Sequence, residues 1–144
     1  MEVRITLDTN TLISAIIAPK GKPARLLLQC KRGFHDLVLS EAILQETERV
    51  LNYARIRKKY RVTDQKRQRV IRFLRLTAEI VTPTETIDEI KTDPSDNRIL
   101  ECAMTGKVDC IVSGDKGHVL SLQEFRGIPI LSVAEFLKKI PYET

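Results

Sequence analysis

The stretch VRITLD at residues 3–8 decides the start of the fold, because apolar and polar residues alternate up to an aspartate. Alternation with a period of two predicts a β-strand over Val3–Leu7, and Asp8 is the first residue after it. Residues 10–18 then carry leucine and isoleucine at helical spacing, which predicts a helix that ends before Pro19. Asp8 therefore stands where a buried strand turns into a helix.

The same order of strand and helix continues to the end of the chain. Short apolar strands are predicted over residues 37–39, 79–81, 110–112 and 128–131. Further helices are predicted over residues 23–31, 41–53, 64–76, 96–105 and 133–139. Such alternation is typical of a mainly parallel sheet covered on both faces, so we predict one α/β domain over residues 1–144. Residues 54–62 fit either a helix or an exposed basic turn.

Polar residues mark the ends of the predicted helices. Serine or threonine precedes four of the helical patterns and is expected to cap the first turn through its side-chain oxygen. These residues are Ser40, Thr63, Ser95 and Ser132. Glu135 completes a capping box with the last of them, and Gly106 is predicted to end the helix that begins near residue 96.

Composition restricts the class of protein. Hydrophobic residues make up 42% and charged residues 30% of the chain, which is typical of a soluble globular domain. No apolar run approaches the roughly 18–20 residues of a membrane span, and the N-terminus shows no signal peptide, so a cytoplasmic protein without membrane contact is expected. The three cysteines form no C-x-x-C pair and lie among apolar residues, which predicts buried, reduced thiols. Only two histidines are present, which disfavours histidine-based catalysis.

Positive charge is concentrated in one segment. Residues 49–75 contain eleven Lys and Arg and a single acid, Asp64, whereas the rest of the chain has thirteen basic and eighteen acidic residues. A basic arm on a mildly acidic body suits a polyanionic partner. A solvated helical face explains the charge run equally well.

Four acidic residues occur after predicted strands or in the first turns of predicted helices. They are Asp8, Glu46, Asp96 and Asp115. Ligands of an open parallel sheet bind outside the carboxyl ends of its strands, where such segments converge. Carboxylates gathered there repel one another unless a divalent cation binds, and hard oxygen ligands favour Mg²⁺ or Mn²⁺. The four acids together predict a metal site that cuts phosphodiesters.

Each of these acids also has an ordinary structural explanation. Asp8 suits a helix cap, Glu46 a solvent-facing helical position, Asp96 the start of a helix and Asp115 a turn. Only their joint placement favours a metal site.

Three polar residues lie near the four acids in sequence. Asn10 and Ser113 are candidates to orient a carboxylate or a metal-bound water, or they serve only as a helix start and a turn. Asp109 precedes its strand, so we expect it at the opposite edge of the sheet and exclude it.

Four short motifs resemble those of the PIN domain family, in the same order along the chain. LDTNTLIS at residues 7–14 is similar to the first motif, and SEAILQE at residues 40–46 is similar to the second, which ends in the acidic ligand. DPSDN at residues 93–97 resembles the third motif and IVSGD at residues 111–115 the fourth. The ending GIPIL at residues 127–131 is also similar, so the resemblance covers nearly the whole chain.

This resemblance implies a three-layer α/β/α fold and a Mg²⁺- or Mn²⁺-dependent endonuclease that usually acts on RNA. Carried over by motif, the acidic site consists of Asp8, Glu46, Asp96 and Asp115. Asp93 is left undecided, because that position is less regular in the family. The chain looks most like the stand-alone prokaryotic, VapC-like toxins, which often form homodimers and are held inactive by a small antitoxin protein.

Two other functions are compatible with the residues. The first is an RNA- or partner-binding module with little catalysis, which would use the basic segment 55–75 and stack a base on Tyr60. Its candidate substrate-binding residues are Arg57, Lys58, Lys59, Tyr60 and Arg61. The second is a phosphatase with Asp8 as nucleophile, which is disfavoured because the usual signature has a second aspartate where this chain has Asn10.

Overall fold

The structure of the chain is a computed structural model that describes residues 3–90, 96–114 and 119–139. These residues contain the strands β1 (Val3–Leu7), β2 (His35–Ser40), β3 (Glu79–Val81), β4 (Cys110–Val112), β5 (Glu124–Phe125) and β6 (Ile128–Leu131). They also contain the helices α1 (Thr9–Ile17), α2 (Lys22–Lys31), α3 (Glu41–Leu51), α4 (Ala54–Tyr60), α5 (Asp64–Thr77), α6 (Asn97–Gly106) and α7 (Val133–Lys139). Among these helices, none has both the length and the apolar character that crossing a membrane requires.

The strands form one sheet in the order β3-β2-β1-β4-β6-β5. Neighbouring strands run parallel except β5 and β6, which pair in an antiparallel hairpin at one edge. Leu7 lies opposite Val112, so β1 and β4 end side by side. The residues that follow, Asp8 and Ser113, therefore leave the sheet at the same place. The predicted α/β class with a mainly parallel sheet is confirmed.

Burial along the central strand shows that both faces of the sheet are covered. Ile5, Thr6 and Leu7 are all 0% exposed, although successive strand residues point to opposite faces. Leu37, Val38 and Leu39 of the neighbouring strand are buried in the same way. Helices on both faces account for this pattern, which is the three-layer α/β/α arrangement.

Several predicted helix caps are confirmed. The side chains of Ser40 and Thr63 each accept a hydrogen bond from the backbone N–H three residues later, at 3.3 and 3.0 Å. Ser132 and Glu135 exchange reciprocal side-chain to backbone hydrogen bonds of 2.9 and 3.0 Å, as a capping box requires. The predicted cap Ser95 lies outside the described residues.

The end of α6 differs from the prediction. Gly106 is still helical, and Lys107 adopts the left-handed conformation that ends the helix, with φ 51° and ψ 50°. A Cβ atom placed on Gly106 would lie 2.5 Å from Cγ1 of Val38. A glycine is needed at position 106 because α6 packs closely on β2. The helix end itself does not require a glycine there, since Lys107 adopts the left-handed conformation.

Two further segments are settled by the structure. Residues 54–62 contain the helix α4, which ends where Arg61 adopts a left-handed conformation with φ 54°. The hairpin strand β5 was not predicted, because two residues are too short to show an alternating pattern. It pairs with β6 through a turn in which Arg126 and Gly127 have positive φ values of 50° and 85°.

Candidate functional site

Asp8 is the anchor of the candidate site. It follows β1 directly and caps α1, because its Oδ1 accepts a hydrogen bond of 2.9 Å from the backbone N–H of Thr11. The hydroxyl of Thr11 donates to the same oxygen, and the hydroxyl of Ser113 donates to Oδ2. The residue is 6% exposed, so its carboxylate is held in one orientation at the carboxyl edge of the sheet.

Thr11 joins the two strand ends that meet at Asp8. Its hydroxyl also accepts a hydrogen bond of 2.9 Å from the backbone N–H of Gly114. The segment after β4 is therefore tied to the first turn of α1 through one buried hydroxyl. Ser113, which the sequence proposed as an orienting group, is brought to Asp8 by the register of β1 and β4.

Glu46 and Asp96 line the same cleft as Asp8. Glu46 lies in the second turn of α3, and Asp96 stands at the N-terminal end of α6. The cleft has a volume of about 280 Å³ and is also lined by Asn10 and Tyr53. Three of the four predicted acids thus face one cleft, although they are far apart in the sequence.

Helix ends contribute to the electrostatics of this cleft. Asp8 and Asp96 occupy the N-cap positions of α1 and α6, where the partial positive charge of the helix favours a carboxylate. Glu46 Oε2 lies 3.7 Å from the Arg49 guanidinium, which is one helical turn away and largely exposed. Helix ends and one guanidinium therefore offset part of the repulsion among the three acids.

The described part of the chain contains no group of three His, Cys, Asp or Glu side chains close enough to hold one metal ion. The fourth predicted acid, Asp115, and the undecided Asp93 lie outside that part. Three carboxylates nonetheless line the cleft, and carboxylates are the ligands that Mg²⁺ and Mn²⁺ prefer.

The sequence model of the PIN domain matches residues 4–117, which is most of the chain. This chain belongs to the PIN domain family. Members of the family are nucleases, so family membership indicates a hydrolase of the nuclease class. The cleft with Asp8, Glu46 and Asp96 lies within the matched residues.

One protein sequence and two solved structures are similar to this chain at low sequence identity. An uncharacterized protein of Methanocaldococcus jannaschii is 25% identical over 130 residues, which span 86% of this chain and 77% of that protein. The crystal structure of VapBC2 from Rickettsia felis bound to a DNA fragment from their promoter has a TM-score of 0.60 at 15% identity, over 90% of this PIN domain and 98% of the matched chain. The crystal structure of PAE2754 from Pyrobaculum aerophilum has a TM-score of 0.59 at 15% identity, over 96% and 89% of the two chains. At these identities the two structures show that the fold is shared.

Two other acids of the PIN domain have structural roles. Asp109 lies at the amino ends of the strands, where its Oδ2 accepts a hydrogen bond of 2.8 Å from the backbone N–H of Arg4. Its predicted position at the opposite edge of the sheet is confirmed. Glu101 is buried, accepts a hydrogen bond of 2.9 Å from the backbone N–H of Ile87 and pairs with Arg98 at 3.1 Å. The Asp109 carboxylate therefore holds the start of β1, and the Glu101 carboxylate holds the loop at Ile87.

The basic segment divides into structural and exposed residues. Arg57 bonds the carbonyl of Val62 at 3.2 Å and pairs with Asp64 at 3.0 Å, so its guanidinium connects α4 to α5. Tyr60 is half-buried and packs with a small apolar cluster built on Ile13, Leu51 and Val62. The remaining candidates for substrate binding are exposed, and they are Lys58, Lys59 and Arg61.

Two residues at the cleft were missed from the sequence. Arg49 and Tyr53 line it beside Glu46, and Tyr53 is 44% exposed. Arg49 follows Glu46 by three residues within α3, a spacing that places both on one helical face, although Arg49 also belongs to the charged run of residues 49–75. Tyr53 lies beyond the end of α3, so only the fold shows it at the cleft.

Burial disfavours chemistry at the three cysteines and at His35. Burial raises the pKa of the Cys30 and Cys110 thiols to about 12 and that of Cys102 to about 11, so all three stay protonated near neutral pH. The prediction of buried, free thiols is confirmed. His35 is buried beneath α7, where desolvation lowers its pKa and its ring packs edge-on against Phe136 with 5.0 Å between centroids.

Proposed function

We propose that this PIN domain is a metal-dependent endoribonuclease that hydrolyses RNA phosphodiesters. The observation that carries the proposal is the placement of Asp8, Glu46 and Asp96 around one cleft at the carboxyl edge of a parallel sheet. Asp115 is added to the site on the strength of the sequence motif alone. Family membership supports the nuclease class, and the choice of RNA rests on the family resemblance and on the basic segment 55–75.

The cleft suits a small hard cation. Mg²⁺ keeps several of its waters and is commonly bound through one or two carboxylates, so a protein cage of many ligands is not needed. A volume of about 280 Å³ exceeds the space of several waters at roughly 30 Å³ each. We propose that Asp8, Asp96, Glu46 and Asp115 hold the ion. When bound, Mg²⁺ or Mn²⁺ supplies a water of lowered pKa and stabilises charge on the phosphate oxygens.

The residues of the chain keep the candidate ligands in place. Thr11 and Ser113 donate hydrogen bonds to separate oxygens of Asp8, which fixes the plane of that carboxylate. Asn97 fixes the start of α6 beside Asp96. Its side-chain oxygen accepts a hydrogen bond from the backbone N–H of Ile90 at 2.7 Å, and its amide donates one to the Ile90 carbonyl at 2.9 Å. Asn10 is exposed at the rim and is placed to contact a bound water or phosphate.

The cleavage assay uses structured and single-stranded RNA with Mn²⁺, Mg²⁺ or EDTA. Cleavage is expected with either metal, is abolished by EDTA and falls at least about 100-fold in Asp8→Asn and Asp96→Asn, the scale on which removal of one stabilising group at an active site acts. Asp109→Asn is the matched control, because it changes an acid at the opposite sheet edge. Unchanged cleavage in Asp8→Asn would refute the assignment of the catalytic site. Salt-dependent RNA binding without cleavage would favour the RNA- or partner-binding module.

We further propose that the chain is the toxin of a toxin–antitoxin pair and works as a homodimer. The shared fold with a structure of VapBC2 supports this role. Expression of the protein should arrest growth, and Asp8→Asn should grow normally. A small protein encoded by the neighbouring reading frame should bind the toxin and restore growth, and light scattering should give twice the chain mass of 16.4 kDa.

A further inference from the structure

One face of α3 continues past the end of the helix along the wall of the carboxylate cleft. Glu46, Arg49, Val50 and Tyr53 occur at relative positions 0, +3, +4 and +7 and all line this cleft. Asp8 and Asp96 line the same cleft. An acid that binds metal in the proposed function is thus followed by a cation on α3 and by an aromatic ring on the corner just after α3.

The backbone of Tyr53 is held by both helices that it joins. Its N–H donates to the carbonyl of Val50 at 3.1 Å, and its carbonyl accepts from the N–H of Arg57 at 2.9 Å. Beside it, the Asn52 side-chain oxygen accepts hydrogen bonds from Arg57 and Arg67, at 2.9 and 3.1 Å. The ring is therefore carried on a fixed corner, although it is itself half in solvent.

Tyr53 is 44% exposed at this cleft, so part of its ring surface is available to a partner. Base faces are the natural partner of such a ring at a nuclease site, and each base stacked on an aromatic contributes roughly 1–3 kcal/mol. Arg49 is 63% exposed as a side chain and contacts Glu46 only at 3.7 Å, so its guanidinium is free to turn toward a phosphate. Arg49 and Tyr53 line the same cleft, the first on α3 and the second on the corner after it, and a cation beside a ring suits a phosphate and its adjoining base.

We propose that Tyr53 stacks on an unpaired base next to the scissile phosphate while Arg49 pairs with a backbone phosphate. The contact with Tyr53 requires a base whose face is exposed at the cleft. In an RNA duplex each base is already stacked and paired, so no base face is available to Tyr53. This inference rests on the proposed function for its substrate, and it assigns the recognition to α3 and the corner that follows it.

The test measures binding separately from cleavage. A short single-stranded RNA that contains 2-aminopurine is titrated with the full-length protein in EDTA, and quenching of its fluorescence reports stacking. Tyr53→Ala is expected to weaken binding about 5- to 150-fold and to remove the quench, while Tyr53→Phe stays within about twofold of the wild type. Binding of a matched RNA duplex should be the same in Tyr53→Ala and the wild type.

Arg49→Gln should weaken binding and reduce the slope of log affinity against log salt by about one. Arg32→Gln is the matched control, since Arg32 is exposed and precedes β2 at the amino edge of the sheet. Normal binding and quenching in Tyr53→Ala, or equal losses in Arg49→Gln and Arg32→Gln, would overturn the inference. The binding and quenching measurements need no cleavage, so their outcome can be distinguished from a failure of the nuclease assay. Metal-dependent cleavage together with intact quenching in Tyr53→Ala would overturn this inference and leave the proposed function standing.

Discussion

Replacing Thr11 with valine tests how the candidate site is assembled. Valine has nearly the shape of threonine and keeps the backbone N–H that bonds Asp8 Oδ1 at 2.9 Å. It removes only the hydroxyl, which donates to Asp8 and accepts from the N–H of Gly114 at 2.9 Å. Thr11 is 1% exposed, so no water can simply replace the lost group without rearrangement.

The expected loss follows from the two hydrogen bonds. A hydrogen bond to a charged group contributes roughly 1.5–3 kcal/mol, and leaving a partly buried N–H unsatisfied costs about 1 kcal/mol or more. The additional buried methyl group of valine offsets about 0.8 kcal/mol. The free energy of unfolding should therefore fall by about 2–3 kcal/mol, which corresponds to roughly 4–12 °C in melting temperature for a chain of this size.

The measurement is urea unfolding at neutral pH, with Thr47→Val as the matched control. Thr47 is equally buried in α3, but its hydroxyl bonds the neutral carbonyl of Ile43 at 2.8 Å, which sits inside a regular helix. Thr47→Val should cost about 1 kcal/mol or less. A loss below about 0.5 kcal/mol in Thr11→Val, or a larger loss in Thr47→Val, would refute the assignment of Thr11 as the joint of the site.

Three further predictions concern the body of the fold. Gly106→Ala should destabilise the protein by about 1–3 kcal/mol because its Cβ would lie 2.5 Å from Val38 Cγ1, and a Val38→Ala change in the same chain should recover part of that loss in urea unfolding. Burial lowers the pKa of His35, so the unfolded chain binds more protons than the folded one below about pH 6.5. The contribution of His35 to the free energy of unfolding is therefore complete above that pH and is lost as the pH falls. Melting temperatures at several pH values should show a smaller acid-side decrease in His35→Gln than in the wild type, and equal decreases would contradict the role of His35. The three buried thiols should react with a disulfide reagent only after urea is added; fast reaction of the native protein would contradict their burial.

The features that the sequence predicted well are local ones. The strand over Val3–Leu7 has its own alternation, and the caps at Ser40 and Thr63 depend only on the next three residues. Asp8 could be placed at the carboxyl edge of the sheet because it directly follows the last residue of the predicted strand. Glu46 and Asp96 lie near the starts of helices, and the structure places them with Asp8 around one cleft.

The features that escaped prediction depend on contacts between distant segments. The sequence pattern predicts that Gly106 stops a helix, whereas its role is set by Val38, which is 68 positions earlier in the numbering. Arg57 belongs to the basic segment of the sequence, and only the fold shows its bonds to Val62 and Asp64. Tyr53 is the last residue of the helix predicted over residues 41–53, and only the fold shows that it forms the corner between α3 and α4 and lines the cleft.

The central claim is that carboxylates at the carboxyl edge of the sheet bind the catalytic metal. Calorimetric titration of the full-length protein with Mn²⁺ tests it without any substrate. Binding is expected in the wild type and in Asp109→Asn, and a loss of about tenfold or more in affinity is expected in Asp8→Asn and in Asp96→Asn. Equal Mn²⁺ affinity in the wild type and Asp8→Asn would contradict the claim.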